Sequence, residues 1–208
     1  MDLLLLGFFT GLSLILAIGA QNIFVIEQGL KKQHIFFVCL ICSLSDLILI
    51  FVGIFLFHYF VQYFNSTIEL IFNILLIGFL IHFIYSKIKI FNTNVSLQND
   101  HNNISKYDIF FKTLGFTYLN PHVYSDTVFI LGNFSKNFTL ENKLYFAFGA
   151  SFASIIFFYC LGYLSSIFAN FIKKNNSWKY INYFIITFMS ILVIYIGTDI
   201  ILNLLKFY

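Results

Sequence analysis

The residues best able to do chemistry stand where apolar side chains would be expected. Between the apolar runs Leu114 to Tyr118 and Val128 to Leu131, the stretch Asn120-Pro121-His122-Val123-Tyr124-Ser125-Asp126-Thr127 places an amide, an imidazole, a phenol, two hydroxyls and a carboxylate. Pro121 is the only proline of the chain. Proline lacks the amide hydrogen and collides with the preceding turn, so a helix is predicted to break or kink near Asn120 and leave backbone groups without partners. An acid at the centre of a helix in lipid costs about 2.5–3.5 kcal/mol. Both costs are tolerable only where the segment faces protein or a wet cavity, so this stretch is expected to line a polar path through a membrane. His122 and Asp126 share a helix face if helix resumes after Pro121. An imidazole beside a carboxylate can then relay protons near neutral pH; a packing histidine is the alternative. Tyr124 and Thr127 are candidate donors to a ligand or to Asp126.

A second group lies upstream. Gly19, Gln21 and Asn22 interrupt the apolar segment from Gly11 to Phe24. Close helix packing explains a glycine there, but not two adjacent buried amides. Asp46 stands about the middle of the next apolar run, where a structural ion pair needs a buried base. No lysine lies near the middle of a span, which leaves a ligand-binding acid, or an acid hydrogen-bonded by Ser43 or by helix backbone.

These residues must be positioned by membrane helices. The chain is 60% hydrophobic and 10% charged, with a mean hydropathy of +0.87, whereas soluble domains carry about 25% charged residues. Six apolar segments are long enough to cross at about twenty residues each: Leu3 to Ile26, Ile35 to Val61, Ile68 to Ile90, Ile109 to Leu131, Leu144 to Ile172 and Tyr180 to Leu205. The first, with no basic leader, reads as an uncleaved helix. The fold class expected is all-α, a polytopic membrane protein forming a single transporter domain over 1–208. The Asn-rich stretch 91–107 reads as a polar linker between a three-helix half, 1–90, and a second, 108–208.

Orientation follows from the lysines, which supply all twelve basic residues. Lys31, Lys32, Lys87, Lys89, Lys106, Lys112, Lys173, Lys174 and Lys179 fall in odd-numbered loops, against Lys136, Lys143 and Lys206 on the opposite side. The positive-inside rule puts the odd loops in the cytoplasm and both termini outside. Three helices per half then make the second half an inverted copy of the first, a common transporter architecture, and paired interruptions in corresponding helices mark its binding site. Gly19 to Asn22 in span one and Asn120-Pro121 in span four are such a pair.

Several residues receive no functional role. Cys39, Cys42 and Cys160 are read as small apolar packers, His58 and His82 as packing or snorkelling side chains, Asp199 as interfacial, and Glu27 as a surface acid closing the first helix. The net charge of +3 reflects loop lysines, and nothing resembles a nucleic-acid-binding motif.

Gly19-Ala20-Gln21-Asn22 with Phe24-Val25, Gln28-Gly29, Ser45-Asp46-Leu47 and Leu119-Asn120-Pro121-His122-Val123-Tyr124 with Asp126-Thr127 resembles the lysine exporter (LysE) family over essentially the whole chain. The similarity is greatest to the lysine/arginine exporter branch, in which a His follows the Asn-Pro pair and an Asp lies a turn later. The family usually has Gly-Pro where this chain has Gly19-Ala20, so a softer first break is expected. The resemblance implies efflux of amino acids through the bacterial cytoplasmic membrane, without enzymatic activity or a bound cofactor.

A lysine or arginine zwitterion needs positive dipole ends for its carboxylate and acids for its two cationic groups. Half-helix N-termini with Asn22 and Asn120 meet the first need, and Asp46 and Asp126 the second. Moving one positive charge outward against an inside-negative potential costs about 2.3 kcal/mol per 100 mV. A proton entering for each cation leaving cancels that, and a buried carboxylate at Asp46 or Asp126, aided by His122, can alternate between the two. The expected partners are a basic amino acid, protons and the lipid bilayer; a homo-oligomer is allowed. Two rivals stand beside this reading. A divalent-metal exporter would use His122 and Asp126 but needs more carboxylates or sulfurs. An intramembrane aspartyl enzyme would use Asp46 and Asp126 as a dyad, but lacks a Gly-x-Gly-Asp pattern.

Overall fold

In lipid an apolar chain can satisfy its own backbone groups only as helix or closed barrel. This chain takes the first course. The computed structural model describes residues 2–16, 19–61, 66–92, 105–174 and 178–205, which are helical nearly throughout and contain no strand. The order is α1 (Leu3–Ile15), α2 (Ala20–Lys31), α3 (Ile35–Val61), α4 (Ser66–Asn92), α5 (Lys106–Tyr118), α6 (Pro121–Tyr124), a π-helical turn (Ser125–Ile130), α7 (Leu131–Ser135), α8 (Leu140–Lys174) and α9 (Trp178–Leu205).

Within α3, α8 and α9, the segments Ile35–Phe57, Leu140–Ala169 and Tyr183–Leu202 are long and apolar enough to cross a membrane, and α1 with α2 qualifies as a bent pair. In α4 the apolar part is shorter, Asn73–Tyr85. The fourth predicted span is divided into α5, α6, the π turn and α7. Most of linker 91–107 lies outside the described residues, as do the side chains of His58 and Asp199.

Outward faces are apolar: Leu44 and Ile48 on α3, Phe148, Phe152 and Leu164 on α8, and Ile191 and Ile194 on α9 are exposed. Polar side chains are inside, including Gln21, Asn22, Ser45, Asp46, Asn120, Thr127 and Ser154. Such placement suits a lipid surround, where burial of polar groups against one another is what limits their cost.

Both α1 and α2 pack along α8; α3 packs on the π turn and α7, and also touches α5 and α8; α4 packs on α9 and α2 meets α5. Glycines make the closest seams. A Cβ on Gly11 would lie 2.9 Å from the Ala150 Cα, and one on Gly149 or Gly7 would collide with the backbone of Leu4 or Phe146 across the α1/α8 seam. On the α3/helix-four seam, a Cβ on Gly53 would lie 2.5 Å from the Val128 Cα and one on Gly132 would lie 2.7 Å from the Gly53 carbonyl oxygen. Small residues let backbones approach where lipid offers no hydrophobic drive to association.

Candidate functional site

Both predicted interruptions are real. The helix of the first span stops at Ile15 and restarts at Ala20 after a bend of 84°. A softer break was expected from Ala20 in place of proline; the helix here still turns sharply. Gly19 is extended at the start of α2, with φ −117° and ψ −176°, and no proline is needed to stop the helix. The interruption is held from the other side: Asn22 Nδ2 donates to the Ile15 carbonyl at 3.1 Å, occupying one acceptor orphaned at the end of α1. Gly19, at the N-cap of α2, brings no side chain to cap it.

Pro121 takes the first position of α6, where its missing amide hydrogen costs nothing. Asn120 caps that turn, its Oδ1 accepting from the His122 amide at 3.1 Å. Tyr124 and Thr127 spend their hydroxyls on this break: Tyr124 donates to the Tyr118 carbonyl at 2.9 Å and Thr127 to the Val123 carbonyl at 2.6 Å. They were candidate donors to a ligand or to Asp126, and here both hydroxyls are engaged by backbone carbonyls.

The two breaks meet. A Cβ placed on Gly19 would lie 3.9 Å from Asn120 Nδ2. Around them is a cavity of about 340 Å³, within the range that holds small ligands. Of the sequence-predicted site residues, Gly19, Gln21, Asn22, Asp46, Asn120, His122, Asp126 and Thr127 line it, whereas Tyr124 does not and the side chain of Pro121 lies outside the described residues. Apolar walls come from α4, α8 and α9, among them Leu76, Leu80, Phe158 and Ile196.

Its polar groups are few and directed. Gln21 is 6% exposed and its Nε2 is buried without a hydrogen-bond partner. Asp46, 3% exposed, accepts from Ser154 Oγ at 2.8 Å. The expected alternative donor, Ser43, is bonded to the Leu40 carbonyl instead. Ser154 was missed by sequence reasoning, since a lone serine on an apolar helix carries no signal of its partner. Asp126 lies half-buried on the π turn. Among the described residues neither acid forms an ion pair, so the cavity presents carboxylates whose charge no lysine neutralises.

Glu27 departs from the surface acid expected: it is 2% exposed and paired with Lys31 at 2.6 Å. Cys39 and Cys42 are buried and Cys160 exposed, and Cys39 Sγ lies 3.2 Å from the Phe158 carbonyl it donates to. Among the described residues no group of three or more His, Cys, Asp or Glu side chains is placed to hold a metal ion.

Residues 12–203 match the family described as LysE type translocator. The chain is 32% identical over 189 residues to the arginine exporter protein ArgO of Pectobacterium atrosepticum, covering 86% of this chain and 88% of that protein. Proteins of the same name from Serratia proteamaculans and Photorhabdus laumondii are each 32% identical, over 85% and 88% of this chain and 86% and 89% of their own lengths. No solved structure matches.

Proposed function

We propose, for a chain that belongs to the LysE type translocator family and is a multi-pass protein of the bacterial inner membrane, export of a basic amino acid, arginine or lysine, in exchange for protons. One observation carries this reading: two helix breaks meet at a cavity holding carboxylates that, among the described residues, form no salt bridge with a lysine. A site whose acids no lysine neutralises is suited to a cationic ligand that supplies its own charge.

The substrate carboxylate goes to the start of α2, where the positive end of the helix dipole lies beside the buried side-chain amide of Gln21. Its ammonium and side-chain cation go to Asp46 and Asp126. Asn22 and Asn120, busy with the backbone of the breaks, tie the end of α1 and the start of α6 in place. Ser154 orients Asp46 from the second half of the chain. His122, exposed at the cavity rim beside Asp126, passes protons to and from the acids.

Protonation of the acids expels the cationic substrate and substrate binding expels the proton, so the two cross in opposite directions. With one proton exchanged per monovalent cation, the electrical cost of about 2.3 kcal/mol per 100 mV vanishes. Six spans arranged as an inverted repeat support this cycle. Matching spans one to three with four to six, the α2/α8 seam corresponds to the α7/α3 seam, and both are built on glycine, Gly29 against Gly162 and Gly132 against Gly53. The α4/α9 and α3/α8 contacts each map onto themselves. Both termini face outside in this arrangement, with the lysine-bearing loops in the cytoplasm.

The test is efflux of labelled arginine and lysine from loaded cells. Asp46→Asn and Asp126→Asn each abolish export while leaving membrane insertion at the parental level. Full transport by either variant removes that acid from the mechanism, and protection of cells against divalent metals but not against lysine-rich peptides would favour a metal exporter.

A further inference from the structure

One turn past each break, toward the lysine-bearing loops, stands a phenylalanine that the site does not use. Phe24 follows Gln21 on α2, in the direction of Lys31; Phe116 precedes Asn120 on α5, in the direction of Lys112 and Lys106; Phe79 and Phe83 flank the cavity-lining Leu80 on α4. Their rings meet around Phe116. Phe24 is stacked on it with centroids 4.7 Å apart, Phe79 is edge-on at 4.8 Å and Phe83 edge-on at 5.0 Å. Phe24, Phe83 and Phe116 are 1%, 7% and 0% exposed. Gly115 makes room for this packing, since a Cβ there would lie 2.6 Å from the Phe79 ring.

We propose that Phe116, with Phe24, Phe79 and Phe83, is the inner gate of the translocation path, and that the structure is the state closed toward the lysine-bearing loops and open on the opposite side. Rings at these separations leave no column of water between cavity and loops. On the other side the cavity is bordered by His122 and by Tyr195 on α9, both exposed. The gate is made from three different elements, α2, α4 and α5. Each of the two broken helices contributes one ring next to its break, where a change of bend angle acts directly. Contacts between α5 and α4 are otherwise sparse, so withdrawal of α5 opens the seal without unpacking the glycine seams.

The gate rests on the reading of the cavity as a substrate site; thiol labelling is measured without any substrate, so failure of that reading and failure of the gate give different results. In the full chain with Cys39, Cys42 and Cys160 replaced by alanine, Leu192→Cys places a reporter on the cavity wall. A membrane-impermeant methanethiosulfonate is applied to right-side-out and inside-out vesicles. The parent is labelled from the face opposite the lysine-bearing loops about tenfold or more faster than from the loop face, as expected when the inward-open state is a minor population. Phe116→Ala removes most of this asymmetry by raising labelling from the loop face, whereas Phe116→Leu, which fills the space, retains it. Labelling from the open face at the parental rate shows that a variant is folded, and Phe24→Ala serves if Phe116→Ala does not insert. Equal labelling from both faces in the parent, or an unchanged asymmetry in the folded alanine variants, overturns the gate.

Discussion

Gly53 is not a residue of the cavity, yet its substitution tests how the cavity is built. An alanine Cβ at this position would lie 2.5 Å from the Val128 Cα and 2.6 Å from the Thr127 carbonyl oxygen. Carbon atoms pack at about 3.5–4.0 Å, so α3 and the π turn must separate by roughly 1 Å or more. Both neighbours are backbone, and no side-chain rotation relieves the clash. Overpacking of a close seam costs about 1–3 kcal/mol, which corresponds to a loss of about 2–12 °C in melting temperature on the scale of soluble domains of this length. The same displacement carries Asp126 and Thr127 on the π turn away from Asp46 on α3. Gly53→Ala is therefore expected to lower both thermal stability in detergent, followed by size-exclusion chromatography, and the export rate per inserted molecule. A Gly53→Ala protein that melts and exports as the parent does would show that the α3/π-turn seam does not set the position of Asp126.

Three further expectations follow from the geometry. Gly19→Ala leaves stability and export within about twofold of the parent, because its backbone is extended and a Cβ meets nothing nearer than 3.9 Å; a severe export defect would mean that Gly19 adopts another conformation during transport. Tyr124→Phe removes one hydrogen bond that ties the fourth-span break, costing about 0.5–1.5 kcal/mol of stability, with KM for substrate unchanged; a raised KM at full stability would restore Tyr124 as a ligand. Ser154→Ala removes the donor to Asp46, and at about 1.5–3 kcal/mol for a hydrogen bond to a charged group export falls by about tenfold or more, while Ser154→Thr recovers it; equal loss in both variants would point to packing rather than to the hydroxyl.

Much of the fold was legible because membrane helices announce themselves. The bounds of Ile35 to Val61 were read from apolar length alone and match α3, and the break at Asn120-Pro121 follows from the chemistry of proline. The first break was legible in place but not in degree. Its 84° bend depends on Asn22 reaching back to the Ile15 carbonyl, a contact across seven residues that no propensity encodes. The π turn at Ser125–Ile130 was not foreseen, since its wider hydrogen-bond pattern leaves no residue signature and is supported by a close approach to Gly53 on another helix. Glu27 was taken for a surface acid because its burial comes from tertiary packing, which the sequence does not display. The phenylalanine gate was hidden by abundance: with 30 phenylalanines in the chain, none stands out until neighbours are known.

The account depends on a cationic substrate and a proton sharing the acids of one cavity. Purified protein in liposomes loaded with labelled arginine and a pH-sensitive dye measures both fluxes at once. Arginine leaving should be matched by protons moving the other way, accelerated by a proton gradient in that direction, and both fluxes should disappear in Asp46→Asn and in Asp126→Asn. Arginine transport that is indifferent to the proton gradient, or that persists at the parental rate in both variants, would contradict it.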